Sequence, residues 1–204
     1  MAELISFPGT VDWSGENPLM SLKVTPDGPF VTLASFFRVV LSPHGRGHTL
    51  VLVQSPHESD PPLERANYCL CDNEELARFL IDGYLSYFAA YKGLPGMTNL
   101  TFQSIDEVRT SGDPISSSYT EMIRSRDLKV ELVWADLGQP FSLAFPPDKS
   151  ATGRHYMPTV LIDSGDASAI VNGRRLPGRP VPRDLAGRSI SSAMLAFSET
   201  WIRA

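Results

Sequence analysis

Apolar and polar residues alternate with a period of two along most of this chain, the pattern of half-buried strands. Met20, Leu22 and Val24 alternate with Ser21, Lys23 and Thr25, and Asp27-Gly28 follows as a turn. Phe30–Leu41 is apolar on both faces, which predicts a strand covered on both sides over part of its length. Ser42-Pro43-His44-Gly45-Arg46-Gly47 turns the chain into the next strand, residues 48–54, and the three form an antiparallel meander. Further strands are predicted over residues 100–105, 119–124, 128–134 and 156–162, with Pro158 confining the last to an edge or a bulge. Asp163-Ser164-Gly165-Asp166 reads as the turn that ends it. Asn172-Gly173, between Ala169-Ile170-Val171 and Arg174-Arg175-Leu176, is a type I′ hairpin signal. Residues 190–202 predict one long closing strand.

One segment breaks this rhythm. Over residues 73–92 the apolar positions recur at helical spacing, with Leu76, Phe79, Leu80, Tyr84, Tyr87, Phe88 and Tyr91 on one broad face. Asp72 suits the N-cap, Glu75 the capping box, and Gly93 the position just past the C-terminus. The buried face is thus expected to be largely aromatic, as in a helix that closes or lines a cavity.

Composition narrows the setting. The 204 residues are 42% hydrophobic and 20% charged, ordinary usage for one globular domain spanning 1–204. A chain of this size buries roughly 70% of the surface its unfolded form exposes, so it needs no metal or disulfide to hold together. The net charge of −5 lacks the basic face a general nucleic-acid binder requires. The N-terminal stretch has no secretory pattern, and no run approaches the ~20 apolar residues of a membrane span. Two stretches, residues 55–62 and 176–187, are rich in proline and read as surface connections. Cys69 and Cys71 lie two apart, and a disulfide between them would close a strained, very small ring. Both thiols are therefore expected to be free and partly buried, in a cytoplasmic setting.

About ten strands and one helix point to a mainly β protein: an antiparallel β-barrel that removes its edges by closure, with one α-helix packed on or across it. A half-open barrel or sandwich is the alternative. By architecture alone the expected fold resembles the lipocalin and calycin barrels. It departs from the lipocalin pattern in two ways. The helix comes early in the chain, and the nearest counterpart of a Gly-x-Trp signature is Val11-Asp12-Trp13, which lacks the glycine.

Candidate chemistry is sparse. There is no Gly-x-Ser-x-Gly elbow, Walker loop, dinucleotide fingerprint or His-Glu-x-x-His, so no cofactor and no metal are expected. His44 and His48 flank a glycine turn and read as exposed turn residues rather than metal ligands. His57, Glu58 and Asp60 sit in a stiff, solvated loop, either plain surface or the rim of a site. His155, at the start of a strand, is the candidate acid or base, with Asp136 as the residue that orients it. Glu131 and Glu199 lie mid-strand, where a carboxylate needs water or a partner. Glu199 shares its predicted face with Leu195, Phe197 and Trp201, so burial there would perturb its pKa. Cys71, beside the helix N-cap, is a weaker nucleophile candidate, since Asp72 opposes its ionisation.

Three functions fit this inventory. The first is binding of a small apolar or aromatic molecule in a barrel cavity lined by Phe37, Tyr84, Tyr87, Tyr91, Trp134 and Trp201. The second is a cofactor-independent isomerase, dehydratase or hydrolase using His155, Glu199 and Asp136. The third is an oligomerising domain, such as a homodimer joined through exposed helix aromatics.

Overall fold

Alternation becomes strand throughout the computed structural model, which describes residues 6–185 and 187–204. Residues 1–5, part of the N-terminal stretch read for a leader, lie outside the described residues. In chain order the strands are β1 (Thr10–Glu16), β2 (Leu19–Lys23), β3 (Phe30–Leu41), β4 (Gly47–Val53), β5 (Tyr68–Cys71), β6 (Thr101–Gly112), β7 (Ser118–Ser125), β8 (Lys129–Leu137), β9 (Phe141–Phe145), β10 (His155–Val171), β11 (Arg174–Arg175), β12 (Pro182–Leu185), β13 (Arg188–Ser191), β14 (Ala193–Phe197) and β15 (Glu199–Arg203). Among the described residues there is one α-helix, α1 (Glu74–Gly83), between β5 and β6.

Thirteen strands form one large sheet that curls into a ring. The path β10-β14-β2-β3-β4-β5-β6-β7-β8 closes because β8 pairs with the second half of β10. The predicted meander β2-β3-β4 is present and antiparallel. The sheet as a whole is mixed rather than antiparallel throughout, since β5 and β6 run parallel. Parallel neighbours need a crossover of a dozen or more residues, and α1 with the turns after it supplies that crossover. β12 and β13 form a separate two-stranded hairpin.

Period-two alternation sorts the side chains into two cores. Ala34 and Phe36 of β3, Leu50 and Leu52 of β4 and Leu70 of β5 join Ile123, Leu132 and Trp134 in one buried cluster inside the ring. Their neighbours Leu33, Phe37, Val51, Val53, Cys69 and Cys71 join a second cluster with Leu76, Ala77, Leu80 and Ile81 of α1. β3 is thus covered on both faces, as its apolar run requires. Each fully buried Leu, Val or Phe contributes about 1.5–3 kcal/mol. β1 bridges β15 and β3, and Gly15 permits it: a Cβ there would lie 2.1 Å from the carbonyl oxygen of Arg38.

Four elements differ from the sequence reading. First, α1 is half the predicted length. It begins at an Asn73 N-cap, whose side chain accepts from the Leu76 N–H, because Asp72 is engaged by His48 instead. It ends at Gly83, and Tyr84 swings out to place its hydroxyl on the buried Asp12; 3-10 and irregular turns replace the rest. Second, residues 163–166 remain within β10. They form a bend across which the strand exchanges faces: Leu161 faces outward, whereas Ala167 and Ala169 face the ring core. Third, the closing strand is three strands, broken at Ser192 and at Ser198, whose φ is 55°. Fourth, β1, β5, β9 and the β12–β13 hairpin have too few alternating positions to signal themselves. The Asn172-Gly173 hairpin is present, with φ of 49° and 79°. Cys69 and Cys71 are free, and both are buried.

Candidate functional site

The same alternation places a pocket on the outer face of the ring. Ser21 of β2, Met157, Thr159 and Leu161 of β10, and Met194 and Ala196 of β14 line it. Their sequence neighbours Met20, Leu22, Ile162, Ala193 and Leu195 point the other way, into the ring core. The segment after α1, residues 87–91, forms one wall, the 149–151 loop another, and Arg183 and Leu185 of β12 a third. Glu199 and Trp201 of β15 complete the lining. The enclosed volume is about 290 Å³, close to the lower limit of ordinary ligand pockets.

Glu199 is 4% exposed. The Trp201 indole Nε1–H donates to its Oε1 at 2.7 Å. Burial pushes this carboxyl up from an ordinary 4.5 to about 7, with the indole hydrogen bond pulling partly against it. Asn17 Oδ1 accepts from the Ser35 hydroxyl at 2.6 Å, while Asn17 Nδ2 is buried without a hydrogen-bond partner. The Tyr91 hydroxyl also lacks one, and burial raises its pKa. An apolar pocket therefore contains a carboxyl poised near neutrality, with an unsatisfied phenol and an unsatisfied amide close by.

A second cluster lies on the far side of Trp201. His155 is fully buried, with its Nε2 2.8 Å from Asp12 and its Nδ1 2.6 Å from the Thr152 hydroxyl. Asp12 also accepts from Tyr84 at 3.1 Å and from the Arg203 guanidinium at 2.8 Å. Burial works to raise the Asp12 pKa, but the hydrogen bonds from His155, Arg203 and Tyr84 outweigh it and hold the carboxyl low. Burial pushes the His155 imidazole down, against the pull of Asp12. Tyr84, His155 and Trp201 rings pack edge-on or tilted at 5.2 to 5.6 Å. The cluster ties β1, β10, β15 and the turn after α1 together.

A third cluster lies at one end of the ring interior. Glu121 is fully buried and accepts from Arg38, Thr110 and Tyr119, each at 2.8 or 2.9 Å. Arg38 also pairs with Glu16. Every partner is satisfied, as a structural network requires. A second cleft, of about 300 Å³, lies beside the 54–58 loop. Its charges are occupied within the protein: Arg65 pairs with Glu58, and Arg174 donates to Gln54 and to the Glu64 carbonyl.

Of the residues singled out in the sequence, Tyr87, Tyr91, Trp201 and Glu199 line the outer pocket. Phe37 and Tyr84 belong to the buried cluster shared with α1, and Trp134 to the ring core, where its indole donates to the Leu19 carbonyl. Asp136 is exposed, with φ of 53° opposite Gly165, and His155 takes Asp12 and Thr152 as its partners in its place. His48 holds Asp72 and His44 holds Glu75, which fastens the glycine turn to the start of α1. Glu131 is partly exposed and pairs with Lys129. No group of three or more metal-ligating side chains occurs among the described residues. No helix among them is long and apolar enough to cross a membrane.

Sequence reasoning passed over Asp12, Asn17, Glu121, Thr152, Arg183 and Arg203. Asp12 and Glu121 carry the same mid-strand carboxylate signal that singled out Glu199. Thr152 and Arg183 lie in stretches with no periodic signal.

Comparison with family models, with curated proteins and with solved structures finds no match to this chain. The likeness to lipocalin barrels gains no support from it.

Proposed function

We propose that the protein binds a small, largely apolar molecule in the pocket outside the ring. The observation that carries this reading is a preformed cavity of about 290 Å³ with apolar walls and a buried carboxyl among its lining. Ligand sites combine such walls with a few polar groups that set orientation, and Glu199 and Tyr91 suit that role. In this reading the ring is a β-barrel whose interior is a packed core, α1 lies against its outside, and residues 87–91 cap the pocket. The free buried thiols fit a reducing, cytoplasmic setting.

Acid–base catalysis is the second reading, favoured by the near-neutral pKa of Glu199. It rests on Glu199 alone, since neither His155 nor Asp136 lines the pocket. The homodimer reading needs exposed helix aromatics; of that set Tyr87 is exposed, while Tyr84 and Tyr91 are buried.

The neutral dye N-phenyl-1-naphthylamine tests binding directly. Its fluorescence is expected to rise and saturate on titration into the folded protein. Met157→Trp, which fills the pocket from the β10 side, should weaken binding about tenfold, or about 1.4 kcal/mol. Absence of saturable binding, or binding indifferent to Met157→Trp, would overturn the proposal.

A further inference from the structure

We infer that the ligand is an apolar monoanion, a carboxylate or sulfonate, whose charged head pairs with Arg183. The inference rests on the binding function proposed above and names the class of molecule that pocket takes.

Arg183 occupies a position where an apolar residue is expected. It stands on β12 opposite Ile190, and Ile190 belongs to the apolar cluster with Leu161, Met194 and Ala196. Along β12 the exposed Pro182 and Asp184 alternate with Arg183 and Leu185, which line the pocket. The guanidinium is therefore carried on the inner face of the hairpin. Its Nε is buried with no hydrogen-bond partner among the described residues. Among the described residues its one polar contact is from Nη2 to the Met194 sulfur at 3.6 Å, a weak acceptor. Burial lowers its pKa.

Arg183 is partly exposed, but its buried Nε–H is costly unless a hydrogen-bond acceptor meets it. The Asp184 side chain alternates to the exposed side of β12, and among the described residues no carboxylate forms an ion pair with Arg183. A carboxylate or sulfonate presents two or three acceptors and one charge, which matches a guanidinium fork. Lys149 lines the same pocket and adds a second cation. The remaining walls, among them Phe145, Met157, Leu161 and Trp201, are apolar and suit the body of such a molecule.

Two dyes of nearly the same shape separate this inference from the binding function itself. One is the neutral N-phenyl-1-naphthylamine and the other its sulfonate, 1-anilinonaphthalene-8-sulfonate. The sulfonate is expected to bind the wild-type protein about tenfold tighter than the neutral dye. Arg183→Met should remove that advantage, so that the two dyes bind the variant within about twofold of each other, with an unchanged near-ultraviolet circular dichroism spectrum. Octanoate should displace the sulfonate dye and 1-octanol should not. Equal binding of the two dyes, or a sulfonate advantage that survives Arg183→Met, overturns the anionic class but leaves the pocket standing. Loss of both dyes in Arg183→Met with the spectrum intact makes Arg183 a wall rather than an anion partner, and overturns it too. If neither dye binds the wild-type protein, the binding function itself fails.

Discussion

Asp12→Ala is expected to destabilise the fold by about 3 kcal/mol, because it strands groups that only Asp12 satisfies. The buried His155 Nε2 and the Tyr84 hydroxyl would both lose their acceptor. Arg203 is more than half exposed and would return to water, so its part of the loss is small. Urea denaturation at neutral pH measures the effect, and a loss below about 1 kcal/mol would show that the cluster does not hold the strands together. The same cluster shapes the acid limb of stability. His155 titrates below its ordinary 6.5 in the folded protein, so the folded state binds fewer protons than the unfolded one. Its contribution is complete above that value and declines as the pH falls through it. Asp12 is likewise depressed from 3.8 and adds a further loss at lower pH, as the acid falls through its folded pKa. Asp12→Ala should therefore remove the Asp12 part of the acid limb, while the His155 part deepens because the imidazole loses the carboxylate that pulls its pKa up.

Glu199→Gln is expected to act with the opposite sign. The folded-state pKa is raised from 4.5 to about 7, so the folded protein holds a proton that the unfolded chain releases. The protonated carboxyl is tolerated below the unfolded value, and stability is lost as the pH rises from there to the folded value. The stability of Glu199→Gln relative to wild type should therefore climb by about 3 kcal/mol between about pH 4.5 and about pH 8. Parallel stability profiles over that range would mean that Glu199 is not desolvated. Because the variant keeps the side-chain size, the comparison isolates the charge from the packing around Trp201.

Much of the strand content was legible because β2 and β8 alternate and β3 and β4 are apolar runs bounded by turn residues. The hairpin at Asn172-Gly173 was legible because two adjacent positive φ angles demand those residues. The helix was legible in kind but not in extent. Its later aromatics keep helical spacing, yet Tyr84 is worth more on Asp12 than in another helical turn, and local propensity is weaker than such a buried contact. The same limit applies to the closing strand, whose apolar run hides the break at Ser198, with its positive φ. Within the candidate site, Glu199 was legible as a carboxylate in an apolar strand. Arg183 was not, because nothing in residues 176–187 tells which side of a two-stranded hairpin faces the core.

Alternation along the chain determined the mainly β character of this protein, its central meander, the two-sided burial of β3 and the presence of a carboxyl among apolar neighbours at Glu199. Those features depend on a residue and others within a few positions of it. Tertiary structure alone decided that the sheet is mixed, that β8 returns to β10, that His155 pairs with Asp12 across 143 positions, and that the pocket lies outside the ring. Facing is the physical reason. A period of two says that two sets of side chains point opposite ways, and only the closure of the ring decides which set fills the core and which is left to line a cavity.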